Sequence, residues 1–147
     1  MPSGRSNLEN LARAKQLNAE APHEREIANL LAAAQARLRD ARRAELSADS
    51  RFMLAYNASH ALALAALRVA GYRPSSAGHR RILFQVLELT ADAPAKLWNA
   101  LAQYHDRRNK VEYEGTPPPS GTEADDLVKL AGELQALVLK RAKKSAR

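Results

Sequence analysis

The sequence predicts an all-α fold, an up-and-down bundle of about five helices, from three observations. Aliphatic residues dominate and alanine is very frequent, whereas aromatic residues make up only 5% of the 147, a balance that favours helix over sheet. Apolar residues recur with helical spacing over long stretches. Capping residues, prolines and glycines separate these stretches, so the helices are expected to be joined by loops.

Two helices are predicted before residue 45. A capping-box pattern at Ser6 and Glu9 starts a short helix that runs to about residue 19 and stops before Pro22. The second helix covers about residues 23–44. Its apolar residues keep helical spacing, and they are Ile27, Leu30, Leu31, Ala34 and Leu38.

The third predicted helix begins at Ser47 or Asp49, because either side chain can cap it, and Gly71 ends it as the residue after the last turn. A fourth helix is predicted over about residues 79–89. Alanines along the third helix would let neighbouring helices approach closely.

The last two predicted helices flank a proline-rich loop. The fifth begins near Asp92, has Pro94 in its first turn, where proline is tolerated, and runs to about Tyr113. The segment EGTPPPSG then forms a stiff loop, and Thr122 with Asp125 starts the final helix.

Composition divides the chain into three segments: a short N-terminal helix or extension over 1–22, a helical bundle over 23–139 and a basic tail over 140–147. The tail, KRAKKSAR, holds five cations and no acid, and without them the net charge falls from +7 to +2. It suits either contact with phosphates or a solvated helix end, where cations complement the helix dipole. The absence of aromatic residues for base stacking favours the solvated end.

Residue content excludes several kinds of site. With no cysteine, the chain has no disulfide and no thiolate site for zinc or an iron–sulfur cluster. It carries no glycine-rich phosphate loop and no nucleophile elbow, and its histidines lack metal-ligand spacing, so no cofactor and no metal are expected. No apolar run approaches the roughly 20 residues of a membrane helix, and no signal-peptide pattern is visible. We therefore expect a cytoplasmic protein that contacts no membrane.

The predicted helix that ends at Tyr113 carries an arginine where an apolar residue is expected. At about 100° per residue, one stripe of the helix is formed by Leu97, Leu101, Tyr104 and Val111. Arg108 falls in the middle of that stripe. A guanidinium in such a place is costly unless it is paired or faces a cleft.

Beside the stripe runs a polar ladder, in which His105, Asn109 and Tyr113 are each four residues apart. Glu112 lies four residues after Arg108 and can pair with it. Two interpretations stay open. Either Arg108 pairs with Glu112 to cap the core while the ladder packs, or the ladder and Arg108 together form a site.

The segment RNKVEY, which begins at Arg108 and Asn109 and ends at Tyr113, resembles the motif of the HEPN superfamily, small helical bundles of prokaryotic toxin–antitoxin and defence systems. In that family an arginine, often followed by asparagine, precedes a histidine by about five residues near the end of a long helix. The stretches RFMLAYNASHALALAALRVAGYR and SAGHRRILFQVLE are also similar to family helices. The resemblance covers roughly residues 50–140. It implies a homodimer with its site between the protomers, metal-free RNA cleavage in catalytic members, and an antitoxin or nucleotidyltransferase as cognate partner.

This chain departs from the family motif at Tyr113, which stands where catalytic members have histidine. Histidine titrates near neutral pH and can transfer protons, whereas only about 0.1% of a tyrosine with its reference pKa is ionised at pH 7. A tyrosine there suits hydrogen bonding or base stacking better than proton transfer. His105, one turn before Arg108, is a candidate substitute. Of the remaining histidines, His60 is expected in packing or at an interface, His79 at the start of the fourth helix against the neighbouring loop, and His23 near a helix start.

Three functions stay open at this point. The first is RNA or nucleotide binding in a groove between protomers with weak or no catalysis, the second is a metal-independent endoribonuclease, and the third is a non-catalytic partner of another protein. The candidate catalytic residues are Arg108, Tyr113 and His105, and the candidate RNA-binding residues are Arg108, Asn109, Tyr113 and Lys110.

Overall fold

Seven helices and one two-stranded sheet make up the part of the chain that the structure describes, a computed structural model with residues 4–76 and 80–145. The helices build the core and each strand has three residues, so the predicted helical bundle is confirmed. In chain order the elements are α1 (Gly4–Arg13), β1 (Leu17–Ala19), α2 (Glu24–Ala41), α3 (Ala48–Val69), β2 (Tyr72–Pro74), α4 (Ile82–Gln85), α5 (Leu87–Ala91), α6 (Ala95–Tyr113) and α7 (Gly121–Ser145).

Helix α3 lies at the centre of the bundle. Six of its alanines are buried together with Phe52, Leu62 and Leu67, and these small residues let α2 and α7 pack along its length. By length and composition alone α3 is apolar enough to cross a membrane, but 67% of its most apolar 18-residue window is buried inside the bundle. Its role as core helix accounts for its apolar composition.

The ends of the helices follow the expected capping chemistry. The Ser50 N–H donates to Ser47 Oγ at 3.1 Å and so caps α3, and Gly71 follows that helix with φ 93°, a region that glycine adopts without Cβ strain. Helix α7 begins slightly earlier than predicted. The Glu123 N–H donates to Ser120 Oγ at 3.1 Å and the Ser120 N–H donates to Glu123 Oε1 at 3.0 Å, a reciprocal capping box.

The two-stranded sheet is absent from the sequence prediction, which extended the first helix to residue 19. Helix α1 instead ends at Arg13, and Lys15 adopts φ 63°. That turn lets β1 pair antiparallel with β2, with Asn18 opposite Arg73. Leu17 is buried, so the segment before residue 22 contributes to the core.

Three other predicted helix limits differ from the observed ones. The helix predicted over 79–89 is two short helices, because Val86, with φ −93° and ψ 4°, interrupts it, and His79 lies outside the described residues. Helix α2 ends at Ala41 rather than at residue 44. Helix α1 begins at Gly4 and not after Ser6. As predicted, helix α7 runs into the basic tail, and it continues to Ser145.

A buried arginine joins the sheet to the helices. Arg68 of α3 is only 1% exposed, and its Nε donates to Glu26 Oε1 of α2 at 2.5 Å. This hydrogen bond is the largest cause that holds the pKa of the Glu26 carboxyl below its usual value. The remaining guanidinium groups donate at 2.7–3.2 Å to three backbone carbonyl oxygens, those of Glu20, Ala21 and Tyr72. The arginine that the core contains is therefore Arg68, whose role the sequence did not indicate.

Candidate functional site

A polar cluster lies at the C-terminal end of α6, where the apolar stripe of that helix ends. Leu97 and Leu101 are buried as predicted, and so is His105, which is 6% exposed. Arg108 is half-buried, whereas Tyr113, near the end of the helix, is 75% exposed. Helix α6 thus leaves the core at this point. We name five side chains at this end of the helix the Arg108 cluster. They are Tyr56, His105, Arg108, Asn109 and Tyr113.

Arg108 is held by aromatic rings and not by a carboxylate. Its Cζ lies 5.2 Å from the centre of the Tyr56 ring and 5.7 Å from that of Tyr113, both within the range of cation–π attraction. Its Nη1 donates to Asn109 Oδ1 at 3.3 Å. Within the described residues it makes no ion pair with Glu112, so the interpretation in which those two side chains pair is wrong.

Most hydrogen-bond donors of Arg108 are unused. A guanidinium has five N–H donors, and in the described part of the chain only the bond to Asn109 uses one of them. Its Nε is buried without an acceptor among the described residues. Because unpaired buried donors are costly, this side chain suits an anion that brings its own oxygen acceptors.

Beneath Arg108, His105 joins α6 to α3. Its Nδ1 lies 2.8 Å from the Tyr56 hydroxyl and its Nε2 lies 3.4 Å from Asn109 Nδ2. The His105 ring also stacks on the Tyr56 ring, with centroids 5.9 Å apart and planes 27° apart, and packs against Phe84 at 5.6 Å. Both ring nitrogens of His105 are therefore engaged within the protein.

Burial shifts the pKa values of three groups in this region toward their neutral forms. Desolvation is the largest cause that lowers the pKa of His105, with Asp106 acting in the opposite direction. Desolvation also raises the pKa of the Tyr56 hydroxyl, against the attraction of Arg108. His60, whose ring centre lies 6.2 Å from that of Tyr56, has its pKa lowered by burial to about 4. The positive charge of the region therefore comes from its arginines.

Two further arginines, Arg80 and Arg81, add positive charge near the Arg108 cluster. Both act electrostatically on His105, and Arg80 also acts on Tyr56. Arg81 Nε pairs with Asp106 at 3.1 Å. Arg80 has no carboxylate partner among the residues of 4–76 and 80–145. Since Asp106 is already paired, it does not neutralise Arg80 or Arg108.

Arg107, the neighbour of Arg108 in the sequence, has a structural role. Its guanidinium donates to Glu123 at 2.8 and 3.2 Å and to the carbonyl oxygen of Pro117 at 3.0 Å. A further bond of 3.2 Å reaches Thr116 Oγ1. Arg107 therefore fixes the proline-rich loop and the start of α7 against α6, while Arg108 points toward the aromatic rings.

The structure brings together four of the five candidate residues and leaves one apart. Lys110 is exposed, and its side chain makes no hydrogen bond or ion pair with the Arg108 cluster within the described residues. The sequence did not indicate Tyr56, which lies among the buried residues of α3. The one signal available was its hydroxyl, a polar atom on a helix in which most of the other buried side chains are apolar.

Known proteins and known types of metal site add no assignment to this cluster. Within the described residues, no group of three or more histidine, aspartate or glutamate side chains is arranged to hold a metal ion. No protein-family model, no curated protein and no solved structure matches the chain significantly. The resemblance to the HEPN superfamily, and the roles that it implies for Arg108 and Tyr113, stay predictions.

Proposed function

We propose that this chain is a HEPN-like protein of toxin–antitoxin or defence type that binds RNA or a nucleotide through a phosphate at the Arg108 cluster, with weak or no cleavage. The observation that carries the proposal is the state of Arg108: half-buried, held between two aromatic rings, and without a carboxylate partner in the described part of the chain. A phosphate oxygen supplies the acceptors that these N–H groups lack.

The surroundings of Arg108 suit a nucleic acid better than a small inorganic anion. The Tyr113 ring is 75% exposed beside the guanidinium, and exposed aromatic rings stack on unpaired bases. Arg80 adds a second cation without a carboxylate partner among the described residues. A phosphate at Arg108 with a neighbouring base on Tyr113 would use both features.

The proposal includes weak or absent cleavage because the described residues of the Arg108 cluster offer no free proton acceptor. Cleavage by the 2′-hydroxyl of RNA needs a group that removes its proton near neutral pH. His105 is buried and both of its ring nitrogens face protein groups. Tyr113 is exposed, and its phenol suits hydrogen bonding and base stacking. The cluster therefore supports phosphate binding more strongly than it supports the endoribonuclease alternative.

The proposal includes the homodimer and the groove between protomers that the resemblance implies. Tyr113 lies at the exposed end of α6, where a second copy could place its own cluster beside this one. Light scattering after size exclusion is expected to give twice the 16.1 kDa of one chain. If the protein is a monomer at concentrations at which it binds RNA, the shared groove is removed from the proposal. A cognate antitoxin or nucleotidyltransferase stays a predicted partner.

The binding test uses a short labelled single-stranded RNA, EDTA in the buffer and fluorescence anisotropy over a series of salt concentrations. Arg108→Ala is expected to weaken binding at least tenfold and to reduce the salt slope by about one contact. The matched control is Arg39→Ala, which removes the same charge from an exposed position on α2. Equal affinities for these two variants would refute the proposal, because the cluster would then add nothing beyond net charge.

A further inference from the structure

The hydrogen bonds of the Arg108 cluster run in one direction, and arginine sets that direction. Arg108 can only donate, so the atom of Asn109 that faces it at 3.3 Å is the oxygen, Oδ1. The amide nitrogen Nδ2 of Asn109 therefore faces His105 Nε2, at 3.4 Å. Since Nδ2 is a donor, Nε2 must accept, and the single proton of the neutral ring lies on Nδ1.

The next bond then has a fixed polarity as well. His105 Nδ1–H donates across 2.8 Å to the Tyr56 oxygen, which leaves the Tyr56 hydroxyl proton unused. The opposite arrangement has the proton on Nε2, where it would point at the donor Nδ2 of Asn109. Turning the amide over would place Nδ2 against Arg108 instead. Only the first direction avoids a contact between two donors.

The Tyr56 hydroxyl is consequently a buried donor without an acceptor. Tyr56 is 5% exposed, and no other hydrogen-bond partner of its hydroxyl is found among the described residues. Its ring lies directly beneath the Arg108 guanidinium, 5.2 Å from Cζ. The buried Nε of Arg108 also lacks an acceptor in the described part of the chain. Two unused donors at one place indicate an absent acceptor rather than two separate defects of packing.

We infer that the Tyr56 hydroxyl is the second donor to the phosphate oxygen that Arg108 binds, and that Asn109 and His105 are positioning residues which aim it. The inference rests on the proposed function, since it concerns the same ligand. It gives the ligand class as a phosphate ester, whose oxygens can accept from a guanidinium and a hydroxyl together. Burial raises the pKa of Tyr56, so the hydroxyl keeps the proton that it donates.

This arrangement gives His105 a role other than proton transfer. Its Nε2 lone pair is occupied by Asn109 and its Nδ1 proton by Tyr56. His105 therefore orients a donor, and the second tyrosine of the cluster, Tyr56 on α3, takes the hydrogen-bonding part that the residue type had suggested for Tyr113.

The test has two arms, and the first measures affinity for the labelled single-stranded RNA. Tyr56→Phe keeps the ring beneath Arg108 but removes the hydroxyl, and a roughly tenfold loss of affinity is expected for one lost bond to an anion. The control is Tyr104→Phe, which removes a hydroxyl that donates to Asp126 at 2.6 Å on the α7 side of α6. The control is expected to bind like the unaltered protein.

The second arm reads the tautomer of His105 in the unaltered protein by 15N NMR, which distinguishes a protonated ring nitrogen from an unprotonated one. A proton on Nδ1 is expected, and a proton on Nε2 would overturn the inference. Unchanged RNA affinity in Tyr56→Phe together with weakened binding in Arg108→Ala would also overturn it while leaving the proposed function intact. Unchanged affinity in Arg108→Ala would refute both.

Discussion

Two arginines in this chain, Arg68 and Arg108, are expected to lose very different amounts of stability on the same substitution. Arg68→Met keeps the aliphatic volume of a side chain that is 1% exposed but removes its donors. Three backbone carbonyl oxygens, in contact at 2.7–3.2 Å, then lose their partner, at about 1 kcal/mol each. Loss of the pair with Glu26 brings the total to about 4 kcal/mol.

Arg108→Met is expected to cost far less stability. Arg108 is half-buried, its one hydrogen bond is 3.3 Å long, and its two cation–π contacts contribute roughly 0.5–1 kcal/mol each. Removing its unpaired buried Nε returns part of that cost. The net loss should be about 1 kcal/mol or less.

The assay is urea and thermal unfolding, followed by far-UV circular dichroism and by the fluorescence of Trp98, the one tryptophan of the chain. For a protein of this size about 2–4 °C of melting temperature corresponds to 1 kcal/mol, so Arg68→Met should melt roughly 8–16 °C lower and Arg108→Met less than about 5 °C lower. Equal losses for the two variants would refute the reasoning, because Arg108 would then be a structural residue.

Three further predictions concern pH, backbone and tautomer. Burial lowers the pKa of His60 from 6.5 to about 4, so between these pH values the folded state binds fewer protons than the unfolded state, and the free energy of unfolding should fall by up to about 3 kcal/mol as pH decreases through that window. His60→Gln should flatten this pH profile in urea titrations. Identical profiles for the variant and the unaltered protein would contradict this prediction. Gly71→Ala should lower the free energy of unfolding by about 1–2 kcal/mol in the same titrations, since φ is 93° at that position. In the control Gly121→Ala, the added Cβ meets no neighbouring atom within 4 Å, so the free energy of unfolding should change little. Asn109→Asp offers His105 only acceptors, so the ring proton of His105 should move from Nδ1 to Nε2, as read by 15N NMR, and the affinity for RNA should fall. An unchanged tautomer of His105 would refute the direction of the hydrogen bonds.

The sequence predicted well the features that depend on neighbours along the chain. The helical spacing of apolar residues gave the long helices, and the capping residue Ser47 and the glycine at position 71 gave both ends of α3. The helical spacing of about 100° per residue likewise placed Arg108 beside His105 and Asn109, which the structure confirms. These features are local, so periodicity and capping chemistry are sufficient to specify them.

The features that the sequence did not indicate join residues far apart. Arg68 and Glu26 are 42 positions apart, and Tyr56 and His105 are 49 apart, so no local pattern links them. Strands of three residues have no periodicity to detect. The structural role of Arg107 also depends on tertiary structure, because its guanidinium binds the proline-rich loop and the start of α7.

The most direct test of the central claim incubates total RNA with the purified protein in EDTA and reads binding and cleavage from the same samples. We expect the unaltered protein to bind RNA and to leave it intact. Arg108→Ala is expected to lose this binding, and Arg39→Ala is expected to behave like the unaltered protein. Metal-free cleavage that disappears in Arg108→Ala would contradict the account by showing a working ribonuclease, and the absence of any RNA retention would contradict it by removing RNA as the ligand.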